Sequence, residues 1–204
     1  MPAAIHRRAP PGPGAAAHLR AATRDAHAAV EALPLMLALM GEAVDRSLYV
    51  EVLRRQLRIH ASWEQAHADW LDTQPWTYRP RAPGLRADLA RLQAGTGERS
   101  PVEGGAAPVA GDAAAAWGML YVVEGAALGG RLIARHLRRR CPELGLALAH
   151  FEPAEPAEAW PGFQALLERE LATGEARDRA VDGARAMFGH FHHHLAAPGY
   201  RSNA

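Results

Sequence analysis

An all-α, single-domain multi-helix bundle is the fold class this sequence predicts, and three observations predict it. Apolar residues recur at three- and four-residue intervals over long stretches. No segment alternates apolar and polar residues as a half-buried strand does, and no internal repeat is present. The 204 residues, 49% hydrophobic and 22% charged, suffice for one core of ordinary globular composition.

The elements follow in order. Residues 1–14 hold four prolines and read as a flexible arm. From Ala15 to Leu33, the residues Leu19, Ala22, Ala26, Val30 and Leu33 fall at helical spacing, and Pro34 ends or kinks this first helix. Asp45 is the candidate N-cap of a long second helix. Its inward stripe runs Tyr49, Val52, Leu53, Gln56, Leu57, His60, Trp63, His67, Trp70 and Leu71. Pro75, Pro80 and Pro83 mark a loop before a shorter helix, Gly84 to Gln93. Residues 95–111, with five glycines and two prolines, form a connection. Asp112 caps a long helix, Ala113 to Arg140, which Cys141-Pro142 stops. After an irregular stretch, 141–160, two helices close the domain, Pro161 to Ala172 and Glu175 to Leu195. The domain thus spans 15–195, and residues 196–204 form a tail.

Composition excludes several functions. With 23 basic and 22 acidic residues the net charge is +1, which speaks against a globally basic nucleic-acid binder. Every basic residue is arginine, so lysine Schiff-base and P-loop chemistry are absent. The single cysteine, Cys141, rules out an internal disulfide and paired-cysteine metal sites, and suits a reducing compartment. Met1 to Gly14 lacks the apolar segment of a secretory signal. The longest low-polarity run, Ala113 to Val123, falls short of the roughly 20 residues that span a bilayer. A soluble, cytoplasmic protein with neither nucleic acid nor membrane as partner is expected.

Two stretches carry candidate chemistry. On the first helix, His27 shares a face with Leu19, Thr23, Ala26 and Val30, and Glu31 follows one turn later. A neutral imidazole can ligate a metal through one nitrogen while the other N–H is held by a carboxylate; an ordinary helix-surface pair would have the same spacing. Arg20 and Arg24 precede His27 by two turns and one turn and can receive anionic groups, or serve as solvated surface residues. In the long helix, Gly118, Val122, Gly125, Gly129, Leu132 and His136 fall on one face. Gly125, Gly129 and Gly130 lie mid-helix, where each glycine costs about 1 kcal/mol against alanine. Either a close helix crossing or a flat ligand against the backbone accounts for them.

The segment Leu120-Tyr-Val-Val-Glu-Gly-Ala-Ala-Leu-Gly-Gly130 strongly resembles the distal-helix motif of bacterial haem oxygenases. The segment Leu19-Arg-Ala-Ala-Thr-Arg-Asp-Ala-His-Ala-Ala-Val-Glu31 resembles the proximal helix of that family. Helix order and length agree over about residues 15–195, and the compact form that supplies biliverdin to bacteriophytochromes is the nearest likeness. The resemblance implies that haem is both substrate and cofactor, sandwiched between the first helix and a Gly-kinked distal helix. It implies cleavage at a meso carbon with O₂ to biliverdin, CO and ferrous iron. It places His27 as axial iron ligand, Glu31 as its partner, and Gly125, Ala126, Gly129 and Gly130 on the distal haem face. Arg20 and Arg24 fall where the family carries basic residues near the propionates or the electron-donor surface. Animal members carry an aspartate where this chain has Ala126, so the proton route is left open; Tyr121 and His136 are candidates for it, or core. No flavin or nicotinamide fingerprint is present, so electrons must come from an external reductase or ferredoxin.

Two further histidine groups offer rival readings. His60, Glu64 and His67 share one helix face, and Glu64-Gln-Ala-His67 has the Glu-x-x-His form of di-iron carboxylate bundles, though no second such set is found. The run His190-Phe-His-His-His194 reads as a helix end with exposed imidazoles, or as an adventitious metal site. A non-catalytic haem carrier or sensor would also use His27.

Overall fold

The computed structural model describes residues 14–42, 44–93, 106–142, 147–152 and 159–196. Among these, all regular structure is helical: α1 (Ala15–Ala22), α2 (Arg24–Glu31), α3 (Pro34–Leu39), α4 (Arg46–Ala66), α5 (Ala68–Asp72), α6 (Ala82–Gln93), α7 (Ala113–Arg140), α8 (Ala159–Glu170) and α9 (Gly174–Ala196). The proline-rich arm up to residue 13, most of the 95–111 connection and the tail from 197 lie outside the described residues, as do 143–146 and 153–158.

The two long-helix caps form as their sequence suggests. Asp45 Oδ1 accepts from the Leu48 N–H at 2.7 Å, and Asp112 Oδ1 from the Ala115 N–H at 2.8 Å. Other boundaries differ from expectation. The single helix expected from Ala15 to Leu33 is broken at Thr23, whose hydroxyl donates to the Leu19 carbonyl at 2.7 Å and whose backbone leaves helical geometry (φ −113°, ψ 6°). Such hydroxyl back-bonding to the i−4 carbonyl competes with the regular ladder and bends a helix. Pro34 does end the run, but it also opens a helix of its own as the first residue of α3, where its missing N–H costs nothing. The second long helix stops at His67 (φ −118°, ψ 12°), so Trp70 and Leu71 belong to the short α5.

α9 is the axis of the bundle, with α1, α2, α3, α4 and α7 packed on it. It crosses α7 at close range. A Cβ at Gly118 would collide with the Ala180 carbonyl, and one at Gly183 with the Ala115 carbonyl. Both glycines are buried, so the small-residue explanation holds at this point of α7. Trp63, Trp117, Tyr49 and Phe163 are the largest side chains closed within the core. Arg55, itself buried, donates to the Leu195 carbonyl at 2.9 Å and so finishes the last turn of α9.

Candidate haem site

α2 has an apolar sequence stripe, yet buries none of its residues; Ala26 and Val30 are only half-buried and His27 is exposed. Ala26 and Val30 rest against the core, whereas His27, placed on the same face by the sequence, stands out into the open. His27 Nδ1 lies 3.3 Å from Glu31 Oε2, and the ring meets Phe188 of α9 edge-on, centroids 5.7 Å apart. The carboxylate and the phenyl edge together fix the ring plane and leave Nε2 pointing away from Glu31, as a ligand geometry requires.

α7 continues through its glycines as one uninterrupted helix, and those glycines serve different ends. Gly118 makes the α9 crossing. Gly130 is buried, and a Cβ there would stand 3.2 Å from the Phe151 carbonyl oxygen. Gly129 is exposed, and a Cβ there would find nothing within 4 Å; one at Gly125 would meet only Trp160 Cη2, at 3.7 Å. Ala126 is exposed. The even choice between crossing and ligand thus divides along the helix: packing explains Gly118 and Gly130, whereas no atom of the described residues explains Gly129.

Tyr121, half-buried, packs against Trp160 with ring centroids 5.8 Å apart. Burial raises its phenol pKa and the Arg20 guanidinium partly opposes this, so α1 and α7 bring these two residues within electrostatic reach. Arg20 is exposed; Arg24 is also exposed, 3.6 Å from Asp25 in a surface pair of little energetic weight. Of the apolar side chains exposed in spite of their size, Leu128 and Leu132 lie on the same open half of α7.

Behind α7 lies a polar interior that helical periodicity does not reveal. Arg81 and Glu124, both buried, pair at 2.8 Å, and Glu124 also accepts from Trp76 Nε1 at 3.0 Å. Glu64 accepts from Tyr78 Oη at 2.8 Å and from backbone N–H groups at the start of α6, including Arg81. Asp88, fully buried, receives the His150 N–H at 2.9 Å, and burial raises its pKa. His60 and His150 meet with centroids 5.4 Å apart. Burial pushes His150 down to about 3 and holds His60 well below the usual imidazole range, so both are neutral. One signal could have exposed this layer: Glu124 is the one charged residue between Ala113 and Gly130, and a buried acid demands a cation.

The same network removes the di-iron reading. His67 is buried with Nδ1 3.0 Å from the Trp63 carbonyl, and its Nε2 accepts from the Ala110 N–H at 3.4 Å, so both ring nitrogens are occupied by backbone. Glu64 caps α6. No group of three or more metal-ligating side chains occurs among the described residues. The histidines at the end of α9 are not all exposed: His190 and His194 are buried, with His190 Nε2 3.2 Å from Ser62 Oγ. His136 joins no polar chain at the glycine face; its Nε2 lies 3.1 Å from the Gly41 carbonyl oxygen.

Among the described residues, an exposed imidazole lies beside a carboxylate, a helix face carries a glycine that no described atom covers, and large apolar side chains stand in the open on the same helix. Comparisons with known proteins identify the family. Residues 14–197 match the family model described as "Heme oxygenase". A curated heme oxygenase of Xanthomonas campestris is 47% identical over 167 residues, covering 80% of this chain and 98% of that one. The fold is similar to the crystal structure of heme oxygenase-1 from the cyanobacterium Synechocystis in complex with heme (TM-score 0.68, 19% identity, 90% of this chain and 91% of that one). It is also similar to heme oxygenase from Leptospira interrogans (TM-score 0.70, 15% identity, 90% and 99% covered). No described helix is long and apolar enough to cross a membrane. The open histidine of α2, the uncovered glycine of α7, the family match over nearly the whole chain and the bacterial relative lead to one conclusion: the chain belongs to the haem oxygenase family.

Proposed function

We propose that this chain cleaves haem at a meso carbon to biliverdin, CO and ferrous iron, with O₂ and electrons from an external reductase or ferredoxin. The observation that carries the reading is the pair of unfilled faces, His27 with Glu31 on α2 and Gly129 on α7, in a chain of this family. Bound haem supplies the iron that activates O₂ and the carbon that is oxidised. The protein's own part is positional. His27 Nε2 would hold the iron, and Glu31 would hold the Nδ1 proton and the ring plane. Backbone at Gly125, Ala126 and Gly129, where side chains are absent or a single methyl, would let the flat group lie against α7 and would position its edge for reaction. Gly130 supports that face from behind through its seat on Phe151. Arg20, beside Tyr121, neutralises a propionate, and Arg24 extends the basic surface toward the electron donor. The His27 imidazole would be a weaker electron donor to the metal than a thiolate. The product's acceptor in this reading is a bacteriophytochrome, and the compartment is the cytoplasm, where a single reduced cysteine is stable.

The test is to add haem, then O₂ and reductant, and record the visible spectrum of wild type and His27→Ala. Wild type should show a Soret band that decays into biliverdin absorption. The variant should lose it, and imidazole in the medium should partly restore turnover. A Soret band that persists unchanged under O₂ and reductant would make the protein a haem carrier instead.

A further inference from the structure

We propose that His136 is a positioning residue that sets the apolar edge of the haem slot, and through it which meso carbon is cleaved. The inference rests on the haem-cleaving reading above. α3 ends at Leu39, and the N–H groups of Met40 and Gly41 close its last turn on the Met36 and Ala38 carbonyls. The segment that follows is met by donors from the end of α7. His136 Nε2 lies 3.1 Å from the Gly41 carbonyl oxygen, and Cys141 Sγ lies 3.2 Å from that of Val44. Between them, Arg140 pairs with Glu42 at 3.2 Å. Three side chains from two turns of α7 therefore clasp the segment that leaves α3.

The clasp has a one-sided surrounding. Five large apolar side chains are exposed among the described residues: Leu37, Met40, Val109, Leu128 and Leu132. Four of them lie within two helical turns of the clasp along the chain. Leu132 precedes His136 by one turn and Leu128 by two, while Met40 adjoins Gly41 and Leu37 lies one turn before it. Exposed apolar side chains gathered in one place mark a binding surface. The inner face of α3, Leu35 and Leu39, is already buried in the core, so Leu37 and Met40 are not needed there. Their occupant is the apolar rim of the macrocycle. A short helix held by side-chain donors can shift by a fraction of an ångström when a donor is lost, and such a shift rotates the ring in its plane under the glycine backbone.

The test compares His136→Ala, His136→Gln and Leu37→Ser with wild type. Three quantities are read: the ratio of biliverdin isomers, the haem-methyl NMR spectrum of the ferric haem complex, and the melting temperature of the apo form. His136→Ala should change the isomer ratio by at least about threefold, a small difference between competing transition states, and should alter the haem-methyl pattern. His136→Gln, which keeps a donor, should restore both toward wild type. Leu37→Ser should shift the ratio with an unchanged apo melting temperature, and it decides the matter alone if His136→Ala does not fold. Wild-type ratio and spectrum in both His136→Ala and Leu37→Ser would overturn the assignment of His136. No biliverdin from wild type would instead overturn the haem-cleaving reading on which it rests.

Discussion

Glu124 stands one residue before Gly125, and its carboxylate is held by the Arg81 guanidinium at 2.8 Å with both side chains buried. The ion pair thus fixes the rotation of α7 at the residue where its open face begins. Trp76, donating to the same carboxylate, ties in the segment between α5 and α6.

Removing one partner leaves the other's buried charge without its opposite charge. Glu124→Leu and Arg81→Leu should each destabilise the apo protein by about 3–5 kcal/mol. The double replacement should recover most of that loss, because both desolvation costs vanish together. Urea unfolding of the three variants provides the comparison; a double variant as unstable as the sum of the singles would show that the pair acts by packing alone.

Glycines of α7 should separate into two classes on substitution. Gly118→Ala must displace the Ala180 carbonyl and should cost roughly 1–3 kcal/mol or more. Gly129→Ala meets nothing and should gain up to about 1 kcal/mol of helix stability. Gly129→Leu should keep the fold and bind ferric haem through His27, yet release little biliverdin. Lowered apo stability with normal turnover per bound haem would show that Gly129 is a packing residue.

Glu31→Gln should preserve haem ligation by His27 while weakening its basicity, since a neutral amide replaces the carboxylate 3.3 Å from Nδ1. Resonance Raman of the ferrous haem complex is the measurement, and the iron–histidine stretch should move to lower frequency. An unchanged stretch would mean that Glu31 only shares the surface with His27.

Acid should weaken the fold through its buried histidines. His150 is pushed down to about 3 and His194 to about 4, chiefly by burial, against about 6.5 unfolded. Below pH 6.5 the unfolded chain takes up protons that the folded chain refuses, so stability falls as pH drops, until each folded pKa is reached. The slope approaches about 1.4 kcal/mol per pH unit for each such histidine. Asp88, whose pKa is raised, opposes this near the carboxylate range. Apo unfolding measured between pH 7 and 5 should show the loss, and His194→Leu should flatten it; a flat profile in wild type would place water at these rings.

Much of the fold was legible because it depends on local rules. Asp45 and Asp112 cap the helices they precede, and the periodicity of α7 and α9 follows from the bundle core they share. The break at Thr23 was not legible, since threonine is common within helices and only its hydroxyl geometry reveals the bend. At the site, the His27–Glu31 spacing was readable, but not the exposure of α2, because an apolar stripe looks the same whether protein or ligand covers it. Arg81 was hidden among prolines of a loop, and its partner lies 43 positions away, beyond any periodic signal.

The absence of buried residues in α2 reaches beyond the chemistry. A helix with no fully buried side chain exchanges its amide protons more readily and offers its backbone to proteases. A ligand that covers such a helix stabilises the whole protein by mass action. On the proposed reading, in which bound haem covers α2, the haem-free protein should therefore be the form more open to proteolysis, and each turnover would return the chain to it.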